Sequence, residues 1–143
     1  MSVFFVIQKP NSIYDDLEGN CYDYKTRLPN GKQIQEGDWL ILSLTKKTSK
    51  VGKRIIGIGR IETIDYRNVG SETFATANYS RFKSFDPPLT YDLIGGDPRT
   101  NNQHAMNRID EKTGEKIITF LTNYNHESSE VSSLKSTTDI KRK

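Results

Sequence analysis

Tyr14, Tyr22 and Tyr24 crowd into one short stretch, interleaved with Asn11, Asp15, Asp16 and Asp23. Flat aromatic rings beside short polar side chains suit the capture of a nucleobase. A planar base laid against tyrosine gains about 1–3 kcal/mol of stacking, while Asp or Asn pairs with its exocyclic amine and ring nitrogens. Each ring taken singly also suits the cover of a small barrel's end. The acids admit an enzyme reading as well, in which Asp15, Asp16 and Glu18 serve acid–base work or hold magnesium. Adjacent acids in a loop are equally ordinary turn formers.

A second constellation is electrostatic. Lys46, Lys47, Lys50, Lys53, Arg54 and Arg60 follow one another with no acidic residue among them. Lysines populate solvated turns freely. On a hairpin they also suit contact with phosphates, which releases counterions without reading sequence, and Lys9, Arg81 and Lys83 extend the same surface.

The chemistry that is missing narrows the field. There is no HxE with CxxC for a deaminase zinc, no P-loop, no GxSxG and no compact histidine pair. Gly57-x-Gly59 lacks a third glycine and opens no helix, so it is not a dinucleotide fingerprint. The lone Cys21 forbids an internal disulfide, and with only His104 and His126 a structural zinc cage is not expected. No cofactor and no catalytic residue are therefore expected.

Those residues must be positioned by a chain of 143 residues, 34% hydrophobic and 27% charged, with a formal net charge of +3. That length suits one domain with a lean core and much polar loop. No run approaches the ~20 apolar residues of a spanning helix. The start carries too few signals for a secretory peptide, so a cytoplasmic protein without membrane contact is expected.

The run from Val3 through Ile7, closed by Lys9-Pro10-Asn11, predicts a buried first strand. Residues 10–37 read as mostly loop, with a turn at Asn30-Gly31. Trp39 through Leu44 predicts a second strand, buried on both faces. Residues 54–64 predict a long strand interrupted near Gly59-Arg60, pairing with the second strand as a hairpin and bending as a small curved barrel requires. Tyr79, Arg81, Phe82, Lys83 and Phe85 predict a further strand stopped by Asp86-Pro87-Pro88. Residues 91–100 read as loop. Asp110 is a candidate cap for a helix carrying Ile117, Ile118 and Leu121 on one face, weakened by Gly114 by about 1 kcal/mol. Residues 1–125 thus form the expected domain, and residues 126–143 a polar linker or tail.

The order of pieces, Phe4-Phe5-Val6-Ile7, Tyr14-Asp15-Asp16-Leu17-Glu18-Gly19, Tyr22-Asp23-Tyr24, Gly37-Asp38-Trp39 and Gly57-Ile58-Gly59-Arg60-Ile61, resembles the EVE branch of the PUA-like superfamily, related to YTH domains. More narrowly, it is similar to reader modules of modification-dependent restriction proteins, where they are joined to HNH nuclease or McrB-type GTPase parts. The resemblance implies an α+β fold, a compact curved β-barrel flanked by short helices, with a base pocket at one end. Carried over to this chain, the pocket comprises Gln8, Asn11, Tyr14, Asp15, Tyr22, Asp23, Tyr24 and Ser43. The DNA backbone would meet Lys9, Lys46, Lys47, Lys50, Lys53, Arg54, Arg60, Arg81 and Lys83.

The expected function is a non-catalytic DNA reader. It flips a methylated or hydroxymethylated cytosine, or an N6-methyladenine, from a duplex into the aromatic pocket, and leaves cleavage to a nuclease or GTPase domain in cis or in trans. Two alternatives keep the same residues: a stand-alone PUA-like RNA binder, whose 2′-hydroxyl contacts would discriminate, and a small hydrolase built on Asp15 or Asp16.

Overall fold

Short β-branched and aromatic runs dominate the chain, and they assemble into one sheet. The structure, a computed structural model, describes residues 1–7, 21–28, 30–44, 53–99 and 104–125. It contains strands β1 (Val3–Ile7), β2 (Cys21–Lys25), β3 (Trp39–Leu44), β4 (Arg54–Val69), β5 (Glu72–Thr90) and β6 (Met106–Ile109), and one helix, α1 (Glu111–Asn123). A 3-10 turn spans Tyr91–Ile94. The strand order is β2-β5-β4-β3-β1-β6. β1 runs parallel to β3, and every other neighbouring pair is antiparallel.

The sheet curls on itself. Tyr22 and Tyr24 of β2 share a buried cluster with Phe4 and Val6 of β1 and Met106 of β6, although these strands lie at opposite ends of the order. The Asn30 side-chain amide closes the gap further by donating to the Met106 carbonyl at 2.9 Å. The result is a curled half-barrel, broadly α+β. Its outer face carries the second cluster, where Val3, Phe5, Ile41 and Ile58 meet Ile117, Ile118 and Leu121 of α1.

The strands expected over residues 3–7 and 39–44 form as read, buried along almost their whole length. β4 is interrupted where expected, with register shifts on both sides of Ile61. At Gly59 a Cβ would come within 2.5 Å of the Tyr79 ring, so glycine there admits an aromatic neighbour across the ladder. Asp110 caps α1, accepting from the Thr113 amide. Gly114, read as a weakness, is required by close packing: a Cβ would meet the Val3 side chain at 2.8 Å.

Four expectations are corrected. β2 lies inside the stretch read as loop. β6 forms over Met106–Ile109, where no strand was expected. The 3-10 turn shapes the segment read as loop from residue 91. β5 runs through Asp86-Pro87-Pro88 instead of stopping there. The ladder jumps from Gly57↔Ser84 to Ile55↔Leu89, so both prolines sit in a bulge where no ladder donor is needed.

Candidate nucleic-acid interface

β1 and β3 are in register from Val3↔Trp39 to Ile7↔Ser43. They end side by side, so the chain leaves for residues 8–20 and for residues 45–52 at the same end of the sheet. Crevices outside the carboxyl ends of parallel strands are recurrent ligand sites in α/β sheets. Gln8, Asn11, Tyr14 and Asp15, the basic Lys9, and Lys46, Lys47 and Lys50 all lie outside the described residues, in the two segments that leave from this end.

Ser43 knits this end together. It is fully buried, its hydroxyl 3.0 Å from the Arg54 carbonyl and 3.2 Å from the Leu44 carbonyl, and it hydrogen-bonds the Tyr91 hydroxyl. Tyr91 also reaches the Leu44 carbonyl at 3.2 Å. Burial pushes the Tyr91 phenol above its ordinary pKa, against the opposing hydrogen bond from Ser43. The Ser43 hydroxyl, expected to meet a base, joins β3, β4 and the 3-10 turn.

The tyrosines of β2 are core residues. Tyr22 is 5% and Tyr24 1% exposed, and their rings stack on each other at 5.8 Å on the concave face. The alternation of β2 turns both inward, which corrects the expectation that they flank a base. Tyr22 still touches the candidate site, since its hydroxyl donates to the carbonyl of Ile7, the last residue of β1, at 3.5 Å. Burial, then the neighbouring Tyr66, Asp23 and Asp38, push the Tyr24 phenol far above its ordinary value. Asp23, on the opposite face of β2, is 1% exposed and accepts from Arg67 at 2.6 and 2.9 Å and from the Thr76 hydroxyl at 2.8 Å. Its carboxylate is committed to the fold, which corrects its place in a base pocket.

Among the described residues, the expected phosphate contacts divide into three groups. Lys53 and Arg54 remain at the carboxyl end of β3, with Lys53 3.8 Å from Asp97 and Arg54 donating to the Lys53 carbonyl at 2.8 Å. Arg60 and Arg81 sit at the other end of β3, where Arg60 pairs with Trp39. There the two arginines face each other directly across the β4–β5 ladder, both exposed. Lys83 is taken by the helix: its ammonium donates to the carbonyls of Leu121, Thr122 and Tyr124 at 3.0, 2.9 and 2.6 Å. Those are orphan acceptors at the negative end of α1, so the ammonium expected at a phosphate instead caps the helix. Partial burial lowers its pKa.

Arg99 also lies at this end. Arg99 has a side chain only 5% exposed and clamps Asp97 through Nη2 at 2.6 Å and Nε at 3.0 and 3.1 Å. Burial works to raise the Asp97 pKa, but the Arg99 hydrogen bonds and the charges of Arg99 and Lys53 outweigh it and hold the carboxyl below the ordinary range. The Asp97-x-Arg99 spacing was its only sequence signal, since it lies in a segment without periodicity.

Among the described residues no group of three or more His, Cys, Asp or Glu could hold a metal ion. A hollow of about 300 Å³ lies at the opposite, amino end of β1, lined by Ser2, Arg108, Ile109, Asp110 and Glu111. No helix of the described residues is long and apolar enough to cross a membrane. Neither protein-family models, nor curated proteins, nor solved structures match the chain.

Proposed function

We propose that this chain is a non-catalytic reader of modified DNA, taking one base of a duplex into a pocket at the carboxyl end of β1 and β3. The observation that carries the reading is the Ile7↔Ser43 pairing. It makes the tyrosine- and acid-rich segment and the lysine-rich segment leave the sheet from adjacent strand ends, which is what a base pocket beside a phosphate grip requires.

In this reading Gln8, Asn11, Tyr14 and Asp15 contact the base, while Ile7, Tyr22, Ser43 and Tyr91 form the rigid floor beneath. Lys46, Lys47 and Lys50 meet the backbone together with Lys53 and Arg54. Arg60 and Arg81 supply a second contact. Like charges placed directly opposite on a sheet are destabilising, so an arginine pair without an acidic partner among the described residues suits a polyanion.

Flipping a base costs a few kcal/mol, which stacking of about 1–3 kcal/mol and edge hydrogen bonds offset. Filling a methyl-sized gap adds about 0.8 kcal/mol, so discrimination by the module alone is modest. Sharp selectivity then comes from linked copies or domains, and cleavage from a nuclease or GTPase partner of modification-dependent restriction. This assignment of role draws on the EVE-like order of sequence motifs.

Fluorescence anisotropy on matched duplexes, with and without methylated or hydroxymethylated cytosine or N6-methyladenine, tests the reading. Tighter binding to one modified duplex is expected, lost in Tyr14→Ala. Equal affinity for all duplexes overturns modification reading. Preference for single-stranded RNA over every duplex would transfer the same pocket to an RNA ligand.

A further inference from the structure

β3 covers only the first part of β4. The β3–β4 ladder begins at Leu44↔Arg54 and ends at Trp39↔Arg60, with Gly37 and Asp38 adding backbone hydrogen bonds at Ile61. β4 continues to Val69, paired on its other side with β5 as far as Val69↔Glu72. Among the described residues no strand lies along the second edge of β4 beyond Ile61. Open edges of this kind are templates for another strand.

The geometry of this edge is legible. Val69↔Glu72 closes a two-residue turn over Gly70 and Ser71, with Gly70 at φ +65°, the left-handed conformation glycine favours at the first position of such a turn. In an antiparallel ladder, backbone groups point alternately toward and away from the partner. Val69 faces β5, so the N–H and C=O groups of Asn68, Tyr66 and Ile64 point outward. The side chains here are exposed too: Tyr66 is 63% and Val69 56% exposed, and among the described residues they and Met1 are the large apolar side chains left in solvent.

We propose that this edge binds a second copy of itself, in an antiparallel two-fold pairing centred on Tyr66. Three registers bring the outward backbone groups opposite one another near the middle of the segment, and charge selects among them. Centring on Asp65 sets two carboxylates face to face, and centring on Arg67 sets two guanidiniums face to face; both are disfavoured. Centring on Tyr66 pairs Tyr66 with its copy on the axis, Ile64 with Asn68, Asp65 with Arg67 and Thr63 with Val69. Both exposed apolar side chains are then covered, and every charge opposite a charge is of the other sign.

The partners already made within the chain leave room for this. Arg67 holds Asp23 and is itself 37% exposed, so its side chain reaches the surface at this edge. Asp65 accepts from Asn78 at 2.9 Å and keeps further lone pairs. The interface is isologous, as a two-fold homodimer requires.

Sedimentation velocity over a concentration series, with the full chain, tests the proposal: a concentration-dependent dimer is expected, and a monomer throughout overturns it. Tyr66→Glu, which puts two carboxylates on the axis, should abolish the dimer with an unchanged circular dichroism spectrum; a dimer that survives it overturns the proposal. Register is read by oxidative cross-linking in a Cys21→Ser background. Cα atoms of a directly opposed hydrogen-bonded pair lie ~5.5 Å apart, within disulfide reach, so Tyr66→Cys should cross-link. Thr63→Cys, displaced by ~20 Å from its own copy in this register, should not. Cross-linking at position 63 in place of 66 refutes the pairing.

Discussion

Arg67 of β4 closes over the buried carboxylate of Asp23 of β2, two strands away, with both of its terminal nitrogens at 2.6 and 2.9 Å. β5 lies between them and contributes the Thr76 hydroxyl to the same carboxylate at 2.8 Å. The guanidinium also stands 5.0 Å from the centre of the Phe74 ring. Three strands are thus tied by one acid that has no access to water.

Removing only one partner leaves a charge stranded. Arg67→Ala is expected to cost about 3 kcal/mol, the low end for a buried pair because Arg67 is itself 37% exposed. Asp23→Leu combined with Arg67→Met should cost less than Arg67→Ala alone. Urea unfolding of the three proteins checks this; a double variant weaker than the single one would refute the account.

Lys83 should hold the end of α1 in place. Lys83→Met removes the donor to three carbonyls and the cation at the helix's negative end, an effect of about 1–2 kcal/mol. Hydrogen exchange should then accelerate in the last turn of α1 and leave β4 and β5 unchanged. On the proposed reading, DNA affinity should stay the same, because this ammonium is engaged by the helix end.

Tyrosine ionisation gives a pH signature. Tyr24 and Tyr91 hold their protons above the ordinary phenol value because burial penalises the phenolate. A folded pKa raised above the unfolded one contributes stability that is complete below about pH 10 and is lost as pH rises through the folded values. Spectrophotometric titration should therefore show part of the tyrosine absorbance developing only with alkaline unfolding. Tyr91→Phe should lessen the loss of stability above pH 10. A single transition for all tyrosines, short of unfolding, would contradict the packing of Tyr24.

The opposed arginines predict a trade of stability for binding. If the chain reads DNA as proposed, Arg60→Ala or Arg81→Ala should each reduce the salt dependence of DNA affinity by about one unit of slope and weaken modified and unmodified duplexes alike. Each should also leave the fold as stable or slightly more so, by a few tenths of a kcal/mol, since a like-charge pair is relieved. Loss of stability with unchanged binding would reverse the assignment.

How much was legible depended on whether the partner of a residue was local. β1 and β3 are continuous apolar runs, and α1 carries its own cap and spacing, so each announces itself. β2 reads Cys-Tyr-Asp-Tyr-Lys, and its aspartate looks like a loop residue because Arg67, which neutralises it, lies far along the chain. β6 is four residues with an exposed arginine, too short for periodicity to register. The prolines of β5 look like a stop until the ladder is seen to bulge around them. At the candidate site, the tyrosine and lysine segments were visible, but their shared exit follows from the parallel pairing of β1 with β3. Burial of Tyr22 and Tyr24, and the capture of Lys83 by a helix end, are tertiary facts with no local sign.

The placement of β1 between β3 and β6 also bears on how the protein is made. Val3 pairs with both Trp39 and Ile109, so a ribosome must release nearly all of the described chain before its first strand has two neighbours. Until then an apolar edge stands open, and closure waits on contacts of long sequence separation, which form slowly. Nascent chains stalled ahead of Met106 should therefore engage holding chaperones, and release of Met106–Ile109 should end that dependence.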